Sequence, residues 1–135
     1  MAGATGAEQR LSRSDGTPVD QLARLGGFAE EMLSHQNAVV KIRSDMPLDR
    51  AALIGCGVTT GVGAVFKTAR IEPGSTVAVF GAGGIGLSAV QGARIAGAGR
   101  IISVDVTDDK LETARAVGAT DTVNGSETDA VMTCR

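Results

Sequence analysis

Six residues, Gly81-Ala82-Gly83-Gly84-Ile85-Gly86, and an aspartate 19 positions beyond them, Asp105, form the constellation with the clearest chemistry. The spacing is G-x-G-x-x-G, which suits close approach of backbone to a pyrophosphate. Gly81 permits a tight turn, Gly83 lets the main chain approach the phosphates, and Gly86 lets a helix pack closely on a strand. Gly84 and Ile85 open that helix, whose unpaired N–H groups and positive dipole end face the anion. Asp105 can accept hydrogen bonds from both hydroxyls of an adenosine ribose. Its charge would repel a 2′-phosphate, and no arginine follows it to compensate, so the pattern favours NAD over NADP. A glycine-rich turn that binds nothing is the alternative reading of the loop. For Asp105 the alternative is a turn residue ahead of a helix.

The loop gains meaning from the elements that must position it. Thr76-Val-Ala-Val-Phe80 is a continuous apolar run after the Pro73-Gly74 turn, which suits a buried parallel strand. A helix is expected over Gly84 to Gly97, with Ile85, Ala89, Ala93 and Ala96 on its apolar face and Ser88, Gln91 and Arg94 in a polar stripe. Arg100–Val104 reads as a second strand, and Thr107 or Asp108 can cap a second helix that closes at Gly118. Asp121–Asn124 starts a third strand. The order β-α-β-α-β predicts a parallel sheet with right-handed crossovers, the first half of a doubly wound α/β fold.

Upstream the signals are weaker. Leu48 to Ala69 is helical in size, with a break expected at Gly55-Cys56-Gly57. Its apolar stretch from Ala51 to Phe66 is interrupted by Thr59, Thr60 and glycines and falls short of the ~20 residues of a membrane span, so it reads as a buried soluble helix. Gly57 and Gly61 are spaced for close packing in such a core. Ala38–Ile42 reads as a strand, Phe28–Leu33 is open between helix and loop, and Asp15-Gly16-Thr17-Pro18 is a turn. The N-terminus has no apolar core of secretory-signal length, which points to the cytoplasm.

Composition sets the outer bounds. The chain has 135 residues, a net charge of −2, three Phe and no Trp or Tyr, which argues against a nucleic-acid surface. Two cysteines cannot supply a secreted disulfide framework. Nineteen glycines are about twice average usage. Cys56 alone reads as a small buried residue, Cys134 as a free thiol and His35 as a surface residue.

Leu53-Ile-Gly-Cys-Gly-Val-Thr-Thr-Gly61, Pro73 through Gly86, Ile101-Ile-Ser-Val-Asp105 and Val117-Gly-Ala-Thr120 together resemble the zinc-containing medium-chain alcohol dehydrogenases. Within that family they look most like the class III, glutathione-dependent formaldehyde dehydrogenase type, or related bacterial enzymes. The resemblance implies that Cys56 stands at the position of one ligand of a catalytic zinc. It also implies that Thr60 and Ile85 stand beside the nicotinamide ring, and that Asp105 and Lys110 hold the adenosine ribose. Zinc would act as a Lewis acid while hydride passes from an alcohol, or a thiol adduct of an aldehyde, to NAD.

Departures from the family pattern shape the remaining expectations. The other zinc-ligand Cys and His of the family lie far upstream of the Gly-Cys-Gly motif, and no cysteine precedes Cys56 here. The expected layout is a β-rich catalytic-domain remnant over residues 1–46, a helical connection over 47–72, and the first half of a Rossmann domain over 73–135. Turnover by this chain alone is not expected, and a stand-alone nucleotide-binding module is the alternative. Full-length relatives are expected to be homo-oligomers paired through a strand that this chain does not carry. The sheet edge is expected to be open.

Overall fold

The computed structural model describes residues 11–19 and 27–134. The chain divides into two compact units, one ending at Ile42 and the other beginning at Arg43. In the first, the turn at Asp15–Pro18 is present: Gly16 has φ +83°, the Thr17 N–H donates to Asp15 Oδ1 at 2.9 Å, and Ser12 bridges Pro18. The strand expected at Ala38–Ile42 does not form. Instead, Gln36–Ala38 is a single 3₁₀ turn capped by His35, whose Nδ1 accepts from the Asn37 N–H. Val39 and Val40 are exposed and no described strand lies alongside them to complete a ladder, so β propensity finds no partner to act on. Phe28–Leu33 is a series of bends and loop, not a helix.

The second unit opens with a helix, α1 (Leu48–Ala69). The β-α-β-α-β series follows: β1 (Thr76–Phe80), α2 (Gly84–Ile95), β2 (Arg100–Asp105), α3 (Asp108–Val117) and β3 (Asp121–Asn124). A short helix, α4 (Ala130–Thr133), comes last. The sheet is parallel in the order β1-β2-β3, with Thr76 opposite Arg100, Phe80 opposite Val104 and Asp105 opposite Asn124. Alternation along the strands sends successive side chains to opposite faces. One face carries Val77, Val79 and Ile101, which pack with Val90, Ala93 and Ala114 of α2 and α3. The other carries Ile102, Val104 and Val123, partly covered by Ala130 and Cys134. β1 is an edge strand, and Phe80 on it is 62% exposed.

Two expectations about the helices change. Ser88, assigned to a polar stripe, is buried, whereas Ile85, assigned to the apolar face, is half exposed. The cause is that α2 packs on two sides, against the sheet through Val90 and Ala93 and against α1 through Ser88 and Gly92. Ser88 is satisfied there by donating its hydroxyl to the Gly84 carbonyl at 2.7 Å. The break expected at Gly55-Cys56-Gly57 is not a break, because glycine keeps its N–H. The helix runs on through a wider π-turn at Ile54–Val58 and has another at Ala64–Ala69.

Nor is α1 the buried helix expected. Only 11% of its apolar window is buried, although its 22 residues and mean hydropathy of 1.3 are long and apolar enough to cross a membrane. Its seat is narrow: Gly61 and Val65 are its buried residues. A Cβ on Gly61 would run into the Ile85 carbonyl and stand 2.6 Å from Ser88 Cβ. Gly61→Ala is therefore expected to cost about 2 kcal/mol by overpacking. Hydrogen exchange should show amides of α1 opening before those of the sheet. Equal exchange in wild type and variant would remove Gly61 as the seat of α1.

Candidate functional site

The loop after β1 sits at the carboxyl end of the sheet, where open parallel sheets bind ligands. The Gly81 N–H extends the ladder by donating to the Val104 carbonyl at 2.7 Å. Gly81 then turns at φ +92°, a conformation that suits a residue without a Cβ. Ala82 is buried, at 2% exposure. Gly83 is the N-cap of α2, extended at φ −78° and ψ −173°, and its carbonyl accepts from the Leu87 N–H at 2.8 Å. The first-turn N–H groups of Gly84, Ile85 and Gly86 precede any intrahelical partner. A Cβ on Gly86 would collide with the Gly81 carbonyl, whereas one on Gly83 or Gly84 would meet nothing within 4 Å. Gly86 thus closes the turn from inside, and Gly83 and Gly84 border open space in front of the helix.

Asp105 ends β2 beside this loop, its side chain 8% exposed. Oδ2 accepts from the Ala82 N–H at 2.7 Å, and Oδ1 accepts from the N–H groups of Val106 at 2.9 Å and Thr107 at 3.1 Å. Lys110 Nζ stands 3.8 Å away. These hold the carboxyl below its ordinary range, first through the Ala82 N–H, against the opposing effect of burial, and then through Thr107, Lys110 and Val106. The carboxylate joins the end of β2 to the glycine loop. Sequence reasoning missed the three backbone donors, since amides leave no trace in residue type. At the end of β3 the Asn124 Nδ2 donates to Asp108 Oδ1 at 2.7 Å, and Asn124 Oδ1 accepts from the Ser126 N–H at 3.0 Å, making Asn124-Gly125-Ser126 a turn.

The structure brings Gly81, Gly83, Gly84, Ile85, Gly86, Asp105 and Lys110 to one end of the sheet. Thr60 stands on α1, one residue from Gly61, where that helix touches Ile85 and Ser88. Cys56 lies a turn earlier and is exposed, not the buried residue that its type alone suggests. A dinucleotide fits this loop: the cradle is open at Gly83 and Gly84, donors face it, and a carboxylate lies at its rim. Zinc does not fit in the same way. Among the described residues no three of His, Cys, Asp or Glu stand together as a metal site. Cys134 packs on the sheet face with Val123, and His35 Nδ1 is taken by the Asn37 N–H.

A parallel sheet with a glycine loop opening α2 and an acidic residue ending β2 defines a Rossmann-type dinucleotide-binding unit. The family model described as zinc-binding dehydrogenase matches residues 84–135. The class-3 alcohol dehydrogenase of Pisum sativum is 45% identical over 109 residues, which is 81% of this chain and 29% of that protein. Among solved structures, the alcohol dehydrogenase zinc-binding domain protein from Burkholderia ambifaria has a TM-score of 0.80 at 40% identity, over 89% of this chain and 33% of its own. Benzyl alcohol dehydrogenase from Acinetobacter calcoaceticus has a TM-score of 0.81 at 35% identity, over 90% of this chain and 35% of its own. The chain is thus similar to zinc-type medium-chain alcohol dehydrogenases, and the model it matches describes that family's NAD-binding part. It spans about a third of the length of these relatives.

Proposed function

We propose that this chain serves as the cofactor-binding portion of a zinc- and NAD-dependent alcohol dehydrogenase acting on a primary alcohol or a hydroxymethyl-thiol adduct. The observation that carries this reading is the open cradle at Gly83 and Gly84 with the Asp105 carboxylate bonded to its loop. The N–H groups at the start of α2 would hold the pyrophosphate, and Asp105, with Lys110, the adenosine ribose. Thr60 and Ile85 would flank the nicotinamide. NAD, when bound, supplies the hydride acceptor. Among the described residues Cys56 alone stands at a position of the family's metal ligands, and no three potential ligands stand together. The partners are small molecules, with neither nucleic acid nor membrane required.

Titration calorimetry with NAD and ADP-ribose tests the reading. Both are expected to bind, because both present the pyrophosphate and ribose that the loop and Asp105 recognise. No heat from either, on a folded sample, would overturn it. The same sample with NAD and ethanol or a hydroxymethyl thiol is expected to form no NADH, since the described residues supply no zinc site. NADH formation at a rate near that of full-length relatives would contradict the assignment of the chain to cofactor binding alone.

A further inference from the structure

Asn124 ends β3 and is followed by Gly125, whereas Asn37, the chain's other asparagine, is followed by alanine. An asparagine–glycine pair carries a reaction of its own. The Gly125 main-chain nitrogen, once it gives its proton to a solvent base, attacks Asn124 Cγ. A new C–N bond closes a succinimide ring, the bond from Cγ to Nδ2 breaks, and Nδ2 leaves as ammonia. Water then opens the ring at either carbonyl and leaves an aspartate or an isoaspartate in place of the asparagine. Glycine favours the attack because no Cβ crowds its nitrogen.

The fold holds each atom that this reaction must move. The Gly125 N–H donates to the Asp105 carbonyl at 3.0 Å, so the attacking nitrogen is tied by its proton to the end of β2. Asn124 Nδ2, the leaving group, donates to Asp108 Oδ1 at 2.7 Å. Asn124 Oδ1 accepts from the Ser126 N–H at 3.0 Å and from Ser126 Oγ at 2.6 Å, which fixes the plane of the amide and polarises Cγ. Ring closure also turns the Asn124 backbone out of the strand conformation it holds in β3. The hold is local. β3 is a four-residue strand at the edge of the sheet, and Gly125 and Ser126 are exposed to water. Such ends open at far lower free energy than the whole fold.

We propose that Asn124 is a latent modification site, which deamidates when the end of β3 opens and then sets a second carboxylate against Asp108 at the start of α3. The amide that donates to Asp108 is replaced there by a like charge, and the contact between β3 and α3 loosens.

Peptide mass spectrometry of the full chain, kept at mildly alkaline pH either folded or unfolded in guanidinium chloride, reads the conversion at Asn124 with Asn37 as internal reference. The unfolded chain is expected to convert, faster at Asn124 than at Asn37. The folded chain should convert about tenfold or more slowly, the effect of the hydrogen bonds that must open first. Asp108→Ala is expected to raise the folded rate about fivefold and to leave the unfolded rate unchanged. Asp108→Asn, which keeps a side-chain acceptor for Nδ2, should restore the slow rate. Gly125→Ala fits the fold, since its Cβ would stand 3.7 Å from Val104 Cγ1, and should slow conversion in both states by crowding the nitrogen. No conversion in the unfolded wild type, or a rate that Gly125→Ala leaves unchanged, overturns the site. Equal folded and unfolded rates overturn the hold without need of a variant, as does a folded rate that Asp108→Ala does not raise. Asn124→Asp carries the product's charge and should melt below wild type, and equal melting overturns the consequence drawn for α3.

Discussion

Asp105→Ala is expected to weaken NAD by about tenfold or more, since two ribose hydroxyls lose a charged acceptor. NADP should weaken less, because the same substitution removes the charge that repels a 2′-phosphate. The measurement is a pair of titrations with each cofactor, and equal weakening of both would show that Asp105 does not meet the ribose. A second effect separates this residue from a passive rim group. Its carboxylate also accepts from the Ala82 N–H at 2.7 Å, so the variant leaves a loop amide without its partner. The fold therefore shares in the loss. That share has a defined pH dependence. Asp105 titrates below its ordinary value of 3.8 in the folded protein, chiefly because of the Ala82 N–H. A carboxyl depressed by folding contributes stability that is full above the unfolded value and lost as pH falls through the folded one. Wild type and Asp105→Ala should thus differ in stability near neutrality and converge as the medium is acidified below 3.8. A stability gap that persists unchanged at low pH would place its origin in packing instead of charge.

The part of the fold legible in the sequence is the part where local pattern and tertiary role agree. Val77, Val79 and Ile101 lie in apolar runs bounded by turns, and the glycine loop falls between a strand and a helix, so the parallel order follows from periodicity and connection rules. Ala38–Ile42 shows the opposite case. Its valines favour a strand, but a strand is a property of two segments, and the partner is not written in the one that carries the propensity. Ser88 was misplaced for a related reason. A hydrophobic pattern records one buried face, and α2 has two, the second made of small residues that allow α1 to approach closely. Glycine and serine on that face resemble polar exposure in sequence and close contact in space. The π-turn was equally hidden, because the helix absorbs Gly55 and Gly57 by changing its hydrogen-bond step and not by stopping. At the site, residue types pointed to Asp105 and the loop. The direct bond between them depends on a backbone N–H, which every residue but proline possesses.

Gly83→Ala and Gly86→Ala, made separately, are expected to fail in different ways although both glycines belong to one motif. A methyl on Gly86 would collide with the Gly81 carbonyl, a backbone atom fixed by the turn and by the bond from the Gly81 N–H to Val104. Neither side can yield without moving β1 or α2, so about 3 kcal/mol of stability should be lost. That is a large share of the ~5–15 kcal/mol by which domains of this size are folded. Gly83 offers the contrast. Its φ of −78° is accessible to alanine, and a Cβ there would meet nothing within 4 Å. Gly83→Ala should keep or slightly raise the melting temperature, because alanine lowers the entropy of the unfolded chain. Its methyl would nevertheless stand in the space through which a pyrophosphate approaches the helix terminus, and NAD should bind about tenfold or more weakly. Thermal denaturation and titration of the two variants together read the motif in two parts, one serving the joint between strand and helix and one serving the ligand. Should Gly83→Ala bind NAD as wild type does, the open space before α2 is not where the phosphates lie, and the cradle assigned to this loop would be lost with it.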